Sequence, residues 1–258
     1  MSEASPIEQS RRTVPGRRLS QATRTLIEVL AFLAAVFFLG WGADALARMG
    51  AEALLARNIQ NATGVSEQPI VHVRGFAFVP QVVRGAYDEV QITTRGVSSG
   101  PLRIDQVDSQ LFDVRVPFHD VLVQDIRRVG VGRSLEDVTL RYSDLNAYFR
   151  ATGRPLQLAP ADNDQVQTTG SVDILGRTVS VRATEQLSVA DEALRITPRQ
   201  IDTGVTNLDQ ASRLLLGQRL NLTVPLGTLP FGHRLTEVTT NADGVRLRAE
   251  GAGIVVQP

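Results

Sequence analysis

From about residue 70 onward the apolar residues recur at every second position, and this constrains the fold more than any other feature of the chain. Val71 and Val73 alternate with His72 and Arg74, and Val90, Ile92 and Thr94 with Glu89, Gln91 and Thr93. Leu102 and Ile104, then Phe112, Val114 and Val116, then Val138, Leu140 and Tyr142 repeat the pattern. Val172 and Ile174 lead through Leu175-Gly176-Arg177 to Val179, Val181 and Ala183, which reads as a hairpin. Leu194 and Ile196 follow, and Val238 and Thr240 meet Val245 and Leu247 across Asn241-Ala242-Asp243-Gly244. Successive side chains of a strand point to opposite faces, so each segment has one apolar and one polar face. That is the pattern of antiparallel sheets with one side wet. Two helices interrupt the strands: Ser143 to Arg150, opening on a capping Ser, and Asn207 to about Arg219, carrying Leu208, Ala211, Leu214 and Leu215.

Before residue 70 the pattern is different. Arg11, Arg12, Arg17, Arg18 and Arg24 face only Glu3 and Glu8 in a segment almost without apolar residues. An uncharged run follows, from Val29 to Ala43. A membrane crossing needs about 20 apolar residues. Leu26–Ala47 reaches that length if Glu28 and Asp44 sit near the two interfaces, with Trp41 where an aromatic belt residue belongs. Basic residues before an apolar run keep the N-terminal side in the cytosol. The expected division is a disordered basic cytosolic tail over 1–25, a transmembrane signal anchor or signal peptide over 26–47, and an extracytoplasmic domain over 48–258. Cleavage stays open, because Ala43-Asp44-Ala45 and Ala45-Leu46-Ala47 resemble small-x-small sites. A helical pattern of Leu46, Met49, Ala53 and Arg57, with Leu54, Leu55 and Ile59, continues to Gly64. This amphipathic helix is expected to lay its apolar stripe on the sheet.

Composition removes several chemistries. All 27 basic residues are Arg, and there is neither Lys nor Cys, so lysine and thiolate chemistry and disulfides are excluded. A net charge of zero argues against nucleic acid as a partner. His72, His119 and His233 are isolated, and Asp162-Asn163-Asp164 lacks the later ligands of a calcium loop, so neither a metal nor a cofactor is expected. Gly96-Val97-Ser98-Ser99-Gly100 matches the G-x-S-x-G nucleophile elbow in letters. The elbow needs a strand before it and a helix after it, whereas Pro101-Leu102-Arg103-Ile104 alternates like a second strand. No residue is expected to be catalytic; a serine hydrolase using Ser98 is kept as the lesser alternative.

Two further segments stand out. One is Val71-His72-Val73-Arg74-Gly75-Phe76-Ala77-Phe78-Val79-Pro80, continuing to Gly85. The other is Val224-Pro225-Leu226-Gly227-Thr228-Leu229-Pro230-Phe231-Gly232-His233-Arg234-Leu235. With the basic tail and the apolar helix, they make the chain resemble the LmeA-like phospholipid-binding family of actinobacterial envelope proteins over about residues 44–256. Ala77 stands where that family usually has Pro, Val79 where it has Leu, and His233 where it has Leu. The resemblance implies an α+β, TULIP-like fold: a curved antiparallel β-sheet wrapped around a long N-terminal helix, enclosing an apolar tunnel. It implies binding of a phospholipid or related amphiphile at the outer face of the cytoplasmic membrane, in support of envelope lipid or lipoglycan assembly. Phe76, Phe78 and Phe231 are the expected rim of the apolar site, since each of the two segments places a Phe beside Gly or Pro at a strand boundary. Val90, Ile92, Phe112, Val114, Val138, Leu140 and Leu235 are the expected lining. A membrane-anchored envelope scaffold without a lipid cavity is the alternative.

Overall fold

The computed structural model describes residues 21–122, 128–162, 164–190, 192–204, 209–226 and 234–256. Helix α1 spans Gln21–Thr63, starting within the segment read as a tail. Along the sequence it crosses from one compact unit, which ends at Ala43, into a second that begins at Asp44. Its Glu28–Thr63 part is long and apolar enough to cross a membrane. Gly64, at φ 67°, ends the helix, and its N–H donates to the Gln60 carbonyl at 2.8 Å.

In the second unit the chain runs through β1 (Ile70–Arg74), α2 (Phe78–Arg84), β2 (Ala86–Ser99), β3 (Leu102–Arg115), α3 (Phe118–Leu122) and β4 (Val129–Arg141). It continues through α4 (Tyr142–Ala151), β5 (Leu156–Pro160), β6 (Gln165–Ile174), β7 (Arg177–Ala190) and β8 (Ala193–Thr203). It closes with α5 (Gln210–Leu220), β9 (Leu222–Pro225), β10 (Arg234–Thr240) and β11 (Gly244–Val256). The strands form a six-stranded sheet, β1-β2-β3-β4-β11-β10, and a five-stranded sheet, β5-β6-β7-β8-β9. Every pairing is antiparallel. The β6–β7 hairpin turns at Leu175 and Gly176, with φ 50° and 75°, as a two-residue turn with both central residues left-handed must. Helix α4 starts one residue earlier than expected, at Tyr142. Arg141 occupies its N-cap position with no side-chain cap, so Ser143 is not the cap. Asp209 does cap α5, accepting the Ser212 N–H at 2.7 Å.

The six-stranded sheet carries a crease. Backbone pairing skips the row Asp88–Asp113–Gly132–Gly253, which crosses four adjacent strands. Asp113 and Gly253 have φ 53° and 64°. A Cβ on Gly132 would lie 2.9 Å from the Cβ of Asp113, so only glycine fits there. Across the crease the buried face steps by three residues instead of two: Leu111 and Val114 are both buried, as are Val131 and Ser134. Irregularities of this kind bend strands and increase twist. A second break at Gly96, φ 66°, lets Ile104 and Leu102 carry the buried face on β3.

Two apolar clusters result. The larger joins Leu102, Ile104, Val138, Leu140, Val245 and Leu247 of the first sheet to Val181, Leu194 and Ile196 of the second, with Leu145 and Phe149 of α4 and Leu216 and Leu220 of α5. The smaller gathers Val71, Val90, Leu111, Val114 and Val131 beneath Ala56 of α1. The protein is thus an α+β fold of one long N-terminal helix and curled antiparallel sheets, consistent with a TULIP-like arrangement.

Candidate functional site: the latch and shelf at the β1–α2 corner

Asp44, Arg48 and Glu52 are spaced at i, i+4 and i+8, which places them on one face of α1. Each bonds the backbone of the β1–α2 segment. The Asp44 carboxylate accepts the N–H groups of Phe78 at 2.9 Å and Val79 at 2.7 Å, capping α2 from another helix. Arg48 donates to the Gly75 carbonyl at 3.2 Å and lies 3.6 Å from Asp44. Glu52 accepts the Val73 N–H at 2.7 Å. β1 is an edge strand, so its outward backbone groups need partners, and these charged side chains supply them. The trio also sets the rotation of α1. Most of the stripe expected to face the sheet therefore points outward: Leu46, Met49 and Leu54 are 71%, 64% and 62% exposed, while Ala56 is buried and Ile59 packs against the cluster.

The corner beyond the latch is built around Gln81. Its side chain is buried, donates to the Ala77 carbonyl at 3.0 Å and accepts the Asp88 N–H at 3.0 Å. Gly75, at φ 126°, leaves room for it; a Cβ there would come within 2.4 Å of the Gln81 amide nitrogen. Phe78 is buried, its ring centroid 6.4 Å from that of Tyr87. Phe76 is 95% exposed, and Val79 and Val83 stand out beside it. Phe76, Ala77, Val79, Pro80 and Val83, with Gln81, Arg84 and Asp88, line an open shelf of about 600 Å³.

The expected site residues fall into separate groups. Val90 and Val114 are buried in the cluster under Ala56, with Ile92 packed against it. Val138 and Leu140 lie in the larger cluster, and Leu235 packs on its margin. Phe112 does not share the buried face with Val114, because the crease intervenes; its ring lies 4.5 Å beneath the Arg133 guanidinium. Phe231 lies outside the described residues, as does His233. Ser98 is exposed within β2 and is followed by the turn into β3, so a strand stands where a nucleophile elbow requires a helix.

Two buried acids and the latch escaped the reading of the sequence. Glu136 sits on the buried face between the two clusters, accepts the Ser109 hydroxyl at 3.1 Å, and is pushed up to about 7 by burial, an effect the Ser109 bond partly offsets. Glu185, in the second sheet, accepts the Thr168 hydroxyl and is likewise pushed up to about 7 by burial. Both occupy strand positions whose alternation marks them as inward. The signal for the latch was charges one turn apart on a helix; helix α2 was also missed, its signal being Pro80 in its first turn and Gly85 just past its end, at φ 63°. Among the described residues no group of three His, Asp or Glu side chains is placed to hold a metal ion.

No curated protein and no solved structure matches the chain. A family model described as LmeA-like phospholipid-binding matches residues 42–250, a range that takes in the latch, the shelf, the five-stranded sheet and the six-stranded sheet as far as the middle of β11. With most of its length inside that match, the chain belongs to the LmeA-like phospholipid-binding family.

Proposed function

We propose that the protein binds a phospholipid or related amphiphile at the outer face of the cytoplasmic membrane, in support of envelope lipid and lipoglycan assembly. The observation that carries this reading is the apolar shelf of about 600 Å³, where the Phe78 and Val79 N–H groups donate to Asp44, the residue that directly follows the uncharged helical run. A lipid acyl chain on the shelf lies against Phe76, Val79 and Val83. Arg84, exposed at the end of α2, stands where a phosphate headgroup meets water. Family membership supports a phospholipid as the ligand class.

Native mass spectrometry of the full chain released from detergent micelles tests this. The expected spectrum shows a phospholipid mass retained on the folded protein, reduced several-fold by Val79→Asp and Val83→Asp together. A folded chain that keeps no lipid under any release condition favours the scaffold reading instead.

A further inference from the structure

The β1–α2 corner exposes a large aromatic side chain without cover from the described residues of its own chain. Phe76 is 95% exposed, Val79 is 45% and Val83 is 59% exposed, and Arg74 and Arg84 flank them in sequence. The backbone here is held firmly: Asp44 caps α2, Arg48 takes the Gly75 carbonyl, and Gln81 fills the interior of the corner. The exposure of Phe76 therefore belongs to a well-anchored loop. Asp44 directly follows the uncharged run Val29–Ala43, which lies in a helix long and apolar enough to cross a membrane.

Resting on the membrane reading above, we infer that the β1–α2 corner is a second membrane contact, with Phe76, Val79 and Val83 inserted into the leaflet next to the end of the anchor. The argument is one of tether length. Asp44 is bonded to Phe78 and Val79 at 2.9 and 2.7 Å, so the corner cannot leave the level at which the apolar run ends. A segment that crosses the bilayer fixes that level at the lipid–water interface. An apolar tip held at the interface loses water contact by entering the acyl region, whereas the flanking Arg residues remain among the headgroups.

Trp41 is the only Trp of the chain, so fluorescence can be placed one site at a time. Full-length protein in vesicles of phosphatidylcholine and phosphatidylglycerol, with and without brominated acyl chains, is compared in three forms. These are the native protein, Trp41→Phe with Phe76→Trp, and Trp41→Phe with Leu214→Trp, Leu214 being exposed on α5. The expected result is strong quenching of Trp41 and of Trp at 76, a blue-shifted emission at 76, and no quenching at 214. Quenched Trp41 with an unquenched probe at 76 overturns the inference and leaves the anchor standing. An unquenched Trp41 overturns the anchor and the inference together. Equal quenching at 76 and 214 overturns it in favour of the whole domain lying on the surface. Quenching at 76 that saturates at one brominated lipid per protein in detergent overturns it in favour of a lipid held on the shelf alone.

Discussion

Replacing Asp44 with Ala isolates the cross-helix cap from everything else in the fold. The carboxylate accepts two backbone N–H groups, at 2.9 and 2.7 Å, and is only 14% exposed. Losing an N-cap side chain costs about 0.5–2 kcal/mol. Val79 is exposed, so its freed N–H finds water, whereas the Phe78 N–H is partly buried and is left poorer. The loss should fall in the upper half of that range, about 1–2 kcal/mol. A shift of about 1.4 kcal/mol is tenfold in an equilibrium constant, so α2 should open roughly 5–30 times more often. Hydrogen exchange of the full chain in detergent, read by mass spectrometry on peptides covering residues 76–85, measures this directly. Asp44→Asn retains one acceptor oxygen and should show an intermediate rise. Peptides from β4 should be unchanged, because the cap touches only the corner. Unaltered exchange at 76–85 in Asp44→Ala would refute the cap, and an equal rise in β4 would show that Asp44 supports the whole domain instead.

Burial pushes Glu185 up to about 7 from an ordinary value near 4.5, so the folded state favours its protonated form. Its contribution is therefore most favourable at low pH and is lost as pH rises from about 4.5 to 7. Glu185→Gln should roughly halve the slope over this window, Glu136 keeping the rest, and, in urea titrations at pH 7.5, raise stability by about 3 kcal/mol; an unchanged slope contradicts the assignment. The two Phe residues of the corner should behave oppositely: Phe78→Ala should cost about 3 kcal/mol, as for a buried aromatic, and Phe76→Ala should leave the melting temperature in detergent unchanged. Ser98→Ala should change stability by no more than about 0.5 kcal/mol and leave retained lipid unaltered, because the side chain is exposed on a strand; lost lipid binding in a folded Ser98→Ala protein reopens the hydrolase reading.

The strands were legible because their apolar residues alternate, and the hairpin at Leu175-Gly176 because only a left-handed turn joins two such strands so closely. Alternation misleads where the backbone departs from a regular pleat. Phe112, Val114 and Val116 read as one face, yet the left-handed Asp113 makes Leu111 and Val114 the buried pair. A local period cannot reveal that departure, because Asp113 becomes left-handed in company with Gly132 and Gly253 on neighbouring strands. The rotation of α1 was hidden for a different reason. Its apolar residues lie on several faces, and the buried face is chosen by where Asp44, Arg48 and Glu52 find backbone partners, which are distant in sequence. The shelf could be approached only through Gly75 and Phe76; which of the two nearby Phe side chains is covered depends on Tyr87 and Gln81, which sequence spacing does not bring together.

The place of β11 in the six-stranded sheet has a consequence for biogenesis. β11 lies between β4 and β10, with residues up to Val256 in register with β4. Until it is in place, β4 presents an open edge and the larger cluster lacks Val245, Leu247 and Ala249. Long-range antiparallel closure of this kind is slow, because the chain entropy is lost before the contacts form. Residues 244–256 must therefore be available before the sheet can close, and until then the open edge of β4 is where an unfolded intermediate is most open to capture by a holding chaperone or to pairing with another chain.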